Sequence, residues 1–130
     1  MKLVLAHGVF DLLHWGHIEY LRKAREYGDS LLVSVVPDRL VMKPHLIHSE
    51  NIRVSMLRAI RYVDAVHLCK GAGPEDLIEE WLPDVYVRPD QYEAQDRPEY
   101  ALVKKLGIQV AFTKPLPIHT SDLIARIKAL

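Results

Sequence analysis

With 130 residues the chain has room for a single domain over residues 1–130 and one sizeable core, and not for two. Hydrophobic residues make up 49% and charged residues 26%, with 17 basic side chains against 17 acidic ones, which excludes a disordered chain and leaves no field of one sign to recruit nucleic acid or a membrane. The single cysteine excludes an internal disulfide, and with no signal-like start or membrane-length apolar run the expectation is a cytoplasmic protein.

Lys2 to His7 is a continuous apolar run, the pattern of a strand buried on both faces of a parallel sheet. Gly8 lets the backbone turn out of that strand, and Gly16 lets a bulky charged group come close to the main chain. A helix is expected from about Gly16 to Tyr27, with Ile18, Leu21 and Ala24 inward and Gly28 as its stop. His14 and His17 therefore flank a helix N-terminus, where unpaired N–H groups and the positive dipole end favour an anion. Two imidazole donors at such a place suit phosphate. A metal would need further ligands, and Cys69 lies far along the chain, leaving His7 as the best third nitrogen; the phosphate reading is preferred and no metal ligand is assigned.

Leu31 to Val36 is the second strand, so the chain opens with a βαβ unit. Arg39 to His48 carries no period and is expected as a long loop. Ser49 then caps a helix with an apolar stripe of Ile52, Met56, Ala59, Ile60 and Val63. Ala65 to Cys69 is a third strand, and Pro74 opens a helix that buries Leu77, Ile78, Trp81 and Leu82 before Pro83. Asp84 to Val87 is the fourth strand, followed by the loop Arg88 to Tyr92. A helix from Pro98 to Gly107, a fifth strand from Ile108 to Phe112, and a last helix capped by Thr120 or Ser121 with Leu123, Ile124 and Ile127 inward complete the chain. The fold class is α/β, a doubly wound, Rossmann-like parallel sheet of five strands. Four loops at strand carboxyl ends, Gly8–His17, Lys43–His48, Arg88–Tyr92 and Lys114–Ser121, lie on one edge of such a sheet and can converge on one ligand.

The run Gly8-Val9-Phe10-Asp11-Leu12-Leu13-His14-Trp15-Gly16-His17 resembles the signature of the cytidylyltransferase-like nucleotidyltransferases, of the HxGH type. Arg61 to Val66 and Ile118 to Ser121 stand where that family has its later motifs. The Leu-Leu-His-Trp-Gly-His part is similar to the glycerol-3-phosphate cytidylyltransferases, whereas the helix around Trp81 and the Asp90 loop are similar to the adenylyltransferase domain of ADP-heptose synthases. The resemblance implies transfer of a nucleotidyl group from CTP, or alternatively ATP, to a small phosphorylated acceptor such as glycerol 3-phosphate or a sugar 1-phosphate. It also implies Mg²⁺ as cofactor, held mainly by phosphates and water, and a homodimer.

By the same resemblance His14, His17, Lys43 and Lys114 form the catalytic set, and Gly8, Val9, Phe10, Asp11, Gly16, Arg53, Arg88, Asp90, Thr120 and Ser121 bind the nucleotide. Asp11 either orients its loop or sits near the metal. Nucleotidyl transfer needs no general base here, because the attacking phosphate is already anionic near neutral pH. Some residues depart from the family pattern. Val9 lacks a hydroxyl, Lys114 lacks the guanidinium fork, and Pro89 and Pro117 remove N–H groups and fix φ where glycines are usual; His119 replaces a serine. Those substitutions raise a third reading, a nucleotide-binding regulatory module without turnover.

Overall fold

The computed structural model describes residues 1–42, 46–114 and 119–130. The first apolar run forms β1 (Leu3–Gly8), followed by α1 (Trp15–Arg25), β2 (Ser30–Val35), α2 (Glu50–Arg58), β3 (Ala65–Leu68), α3 (Glu75–Trp81), β4 (Val85–Pro89), α4 (Pro98–Lys105), β5 (Gln109–Thr113) and α5 (Thr120–Lys128). The strands build one five-stranded sheet of order β3-β2-β1-β4-β5, with every pair parallel. The order reverses between β1 and β4, and such a switch point opens a crevice at the strand carboxyl ends.

Period-2 alternation sorts the side chains between two cores. Val4, Ala6, Val33, Val85 and Val87 face α1 and α2, where they meet Leu21, Ala24, Val54 and Leu57. Leu5, Leu32 and Tyr86 point to the other face and pack against Ile78 of α3 and Val103 of α4. At the amino edge of the sheet three aspartates pair the strand starts: Asp29 accepts from Lys2 N, Asp84 from Leu3 N and Asp64 from Leu31 N, at 2.7–2.8 Å. Polar anchoring there leaves the carboxyl edge to the ligand.

Several sequence expectations are corrected. β4 runs on through Arg88 and Pro89, which the sequence placed in a loop, so the Arg88 side chain shares the face of Tyr86. The stripe on α2 is out of phase: Ile52, Met56 and Ala59 lie outward while Arg53, Val54 and Leu57 are buried. On α3 only Leu77 and Ile78 are buried, because the helix ends at Trp81 and Leu82 turns into the left-handed region at φ 45°. In α5 no residue is fully buried, and Ile127 is 62% exposed. Gly28 is not a left-handed stop; a Cβ there would sit 2.7 Å from Lys2 O, so the turn needs glycine for its close pass over the start of β1. Among the described residues no helix is long and apolar enough to cross a membrane.

Candidate active site

At the switch point the carboxyl ends of β1, β4 and β5 and the amino ends of α1 and α5 enclose a cavity of about 680 Å³. Its walls are laid by His7 to Phe10, His14, Gly16, His17 and Tyr20 on the β1–α1 side, by Arg88, Pro89, Gln91 and Tyr92 after β4, by Thr113, and by His119 to Ser121, Ile124, Ala125 and Lys128 on α5. Of the sequence-derived candidates, Gly8, Val9, Phe10, His14, Gly16, His17, Arg88, Thr120 and Ser121 are thereby brought to one cavity.

The two histidines cap their own helix. His14 is the N-cap, its Nδ1 accepting from Gly16 N at 3.0 Å, while His17 Nδ1 accepts from His14 N at 3.2 Å. The rings stack with centroids 3.9 Å apart. A backbone donor on each Nδ1 makes that nitrogen the acceptor, so the neutral ring proton sits on Nε2. Both imidazoles are thereby fixed in rotamer and tautomer at the positive end of a helix. Phe10 backs His17 edge-on, with centroids 5.7 Å apart, and lies on Gly8, where an added Cβ would come within 3.0 Å of its ring.

The loop joining β1 to α1 holds Phe10 and Leu12 in the left-handed region, at φ 56° and 49°. Such residues are strained, and the surroundings must hold them. Asp11 does much of this from between them: its carboxylate accepts from Leu12 N, Ile47 N and His48 N at 2.7–3.1 Å, and its carbonyl accepts from Thr120 Oγ1. Of the two roles left open for Asp11, the geometry supports the orienting one, since the buried side chain faces its own loop rather than the cavity.

Arg53 is a correction. It is 0% exposed, and its guanidinium donates to the carbonyls of Val9, Val36 and His48 and to Asp38 Oδ1. Four of its five N–H groups are used inside the protein, so it supports the loop behind the cavity and is absent from the cavity lining. That hydrogen bond from Arg53 holds the Asp38 carboxyl below its ordinary range. Lys114 is also displaced: it lines a shallow recess with Lys23, Tyr27 and Phe112 and not the main cavity, and its carbonyl accepts from Lys23 Nζ. Asp90 is exposed at the start of a short 3₁₀ turn, outside the lining. Lys43 and Pro117 lie outside the described residues.

Tyr20 and Thr113 carry no motif in the sequence, and Gln91 and Tyr92 entered only as members of the loop Arg88–Tyr92. The Tyr20 hydroxyl donates to Val87 O and accepts from His7 N, clamping β4 to β1, and burial pushes its pKa up. His7 pairs through Nδ1 with Ser34 Oγ at 3.0 Å; burial, then the positive charges of Arg88 and Arg97, push its pKa well below the usual value, and it is neutral. Thr113 Oγ1 is buried with no hydrogen-bond partner among the described residues.

Neutral imidazole donors at one helix end, hydroxyls at another and a buried guanidinium between them form a site for phosphates. A family model described as cytidylyltransferase-like matches residues 5–126. The chain belongs to this family. It is similar to the glycerol-3-phosphate cytidylyltransferase of Staphylococcus aureus, 43% identical over 98 residues that cover 73% of this chain and 74% of that one. The FAD synthase of Thermococcus kodakarensis is 43% identical over 124 residues, covering 92% of this chain and 83% of that one. The D-beta-D-heptose 1-phosphate adenylyltransferase of Bordetella bronchiseptica is 35% identical over 132 residues, covering 97% and 82%. As a member of the cytidylyltransferase-like family the protein is a nucleotidyltransferase, and the relatives differ in what they act on.

Proposed function

We propose that the protein transfers CMP from CTP to a small phosphorylated polyol such as glycerol 3-phosphate, with release of pyrophosphate. The observation that carries this reading is the pairing of His14 and His17 at the start of α1 with Thr120 and Ser121 at the start of α5 across one cavity. Two helix ends and two Nε2–H donors offset charge on the triphosphate as it is attacked at the α-phosphorus. A phosphate oxygen of the acceptor forms the new bond to that phosphorus, the bond to the β-phosphate oxygen breaks, and pyrophosphate leaves with the electron pair. No protein base is required.

The site suits a Mg²⁺ ion carried in on the nucleotide. Thr120 and Ser121 offer hydroxyl oxygens, and the described lining contains no carboxylate, so phosphates and water supply most ligands. When bound, the ion offsets charge on the transferring phosphates; orientation of those phosphates falls to the histidines and the helix ends.

A second reading, adenylyl transfer from ATP to a sugar 1-phosphate, is favoured by the near-complete overlap with the Bordetella heptose 1-phosphate enzyme, 97% of this chain. Pyrophosphate release measured across the four nucleoside triphosphates and a panel of phosphorylated acceptors separates the two. Release with CTP and glycerol 3-phosphate supports the first; release only with ATP and a sugar 1-phosphate replaces it with the second.

A further inference from the structure

Arg88 is a permanently charged side chain that is 3% exposed yet lines the cavity. Its Nη1 donates to the His7 carbonyl, and its guanidinium lies 4.0 Å from the centre of the Tyr92 ring. Nε is buried and has no hydrogen-bond partner among the described residues, and none of their carboxylates comes within ion-pair distance of the guanidinium. Glu99, whose charge it does feel, is bound elsewhere, to the Tyr86 hydroxyl at 3.1 Å and Arg97 Nε at 3.4 Å. A buried cation without a counter-ion is costly, and stacking on a ring fixes its place without neutralising it. An arrangement of this kind is completed by an anion from outside.

The reaction brings two anions together. One, the triphosphate, already has its donors at the starts of α1 and α5. Arg88 shares their cavity but belongs to neither helix start: it is carried by β4, with its guanidinium on the His7 carbonyl and the Tyr92 ring. We infer that Arg88 anchors the phosphomonoester of the acceptor, with Tyr92 as the positioning residue that holds its guanidinium. This rests on the proposed function in taking the acceptor to be phosphorylated and the triphosphate to lie at the two helix starts, and it moves Arg88 from the nucleotide to the attacking group. Arg88 takes no proton; it holds oxygens of the acceptor phosphate so that another faces the α-phosphorus. Tyr92 is itself held, its carbonyl accepting from Tyr100 Oη at 2.6 Å and its ring flanked by Arg97 at 5.5 Å.

The test is binding, not turnover. Inorganic phosphate is titrated calorimetrically into the protein saturated with magnesium pyrophosphate, and pyrophosphate is titrated separately. Arg88→Met is expected to weaken phosphate at least about tenfold, as befits a charge-assisted pair, and to change pyrophosphate affinity less than about threefold. Tyr92→Leu is expected to weaken phosphate about fivefold, and Tyr92→Phe, which keeps the ring, to restore it to within about twofold. Should Arg88→Met fail to fold, the two Tyr92 variants decide. Loss of pyrophosphate affinity in place of phosphate affinity, no phosphate binding by the pyrophosphate-saturated wild type, unchanged phosphate affinity in Arg88→Met, or failure of Tyr92→Phe to rescue each overturns the inference. Binding as expected without turnover on any triphosphate would instead remove the proposed function and leave the anion site standing.

Discussion

His17 caps the residue that caps it: its Nδ1 takes the backbone N–H of His14, while His14 takes the N–H of Gly16. Each ring thus has one nitrogen committed to the helix start, and the same bonds that finish α1 aim the other nitrogen's proton. Structure and chemistry are separable here. His14→Ala is expected to cost about 1 kcal/mol of stability through the lost cap, whereas His14→Asn, a good N-cap, retains it. Both variants lose a phosphate donor, and turnover should fall roughly 10²–10³-fold in each. Denaturant unfolding paired with steady-state rates checks this; wild-type turnover in His14→Asn would count against the phosphate role.

Arg53 supports the same loop from behind. Removing its guanidinium strands the carbonyls of Val9, Val36 and His48 and leaves Asp38 without its partner, so Arg53→Met should destabilise the fold by roughly 3 kcal/mol. Arg53→Lys cannot reach all four acceptors and should recover only part of that. A loss under about 1 kcal/mol by urea denaturation would mean that the loop is held by other contacts.

Asp11 ties the far end of the segment after β2 to the loop between β1 and α1, through the amides of Ile47 and His48. Bonds to a carboxylate are worth about 1.5–3 kcal/mol, so Asp11→Ala should speed hydrogen exchange at these two amides by roughly 10–100-fold. Unchanged exchange at both would show that the carboxylate does not protect them.

The His7 imidazole has its pKa lowered well below 6.5 by burial and then by the charges of Arg88 and Arg97. A base depressed in the folded state takes up its proton first in the unfolded chain. Stability linked to it is therefore complete above pH 6.5 and falls as the pH drops below that value toward the folded pKa. Melting temperatures between pH 7 and 5 should decline less steeply in His7→Gln than in the wild type. Parallel curves would exclude His7 as a source of acid sensitivity.

What the sequence disclosed was the local part. A glycine after an apolar run, two histidines at helical spacing and hydrophobic alternation are properties of neighbouring residues, and they placed β1, α1 and the loop between them within a residue or two. Arg53 and Arg88 could not be told apart in this way. One lies on a helix and the other at a strand end, and only the fold reveals that Arg53 spends four N–H groups within the protein while Arg88 keeps Nε without a partner among the described residues. The phase error on α2 has the same origin: a buried arginine occupies a core position that hydropathy assigns to solvent. Thr113 stayed invisible, and Tyr92 was visible only as the end of a loop, because their importance comes from what β4 and β5 bring together, Pro89 pairing with Thr113 across the sheet.

The choice of nucleotide is expected to depend on that same pairing. Thr113 is 5% exposed, lines the cavity, and has a hydroxyl that no described protein group satisfies, while Gln91 offers an amide nearby on the wall after β4. Both groups donate and accept, as reading a base edge requires, and a site built on such bonds rejects a base that leaves them unpaired. CTP with Mg²⁺ is accordingly expected to bind at least about tenfold more tightly than ATP. Thr113→Val keeps the shape and removes the hydroxyl. It should leave stability within about 0.5 kcal/mol, because no hydrogen bond to a described residue is lost, and weaken CTP about fivefold, the worth of one neutral hydrogen bond. Calorimetric titration of both triphosphates into both proteins decides: tighter binding and faster turnover with ATP would hand the site to adenylyl transfer, and an unchanged CTP affinity in Thr113→Val would take base reading away from this hydroxyl.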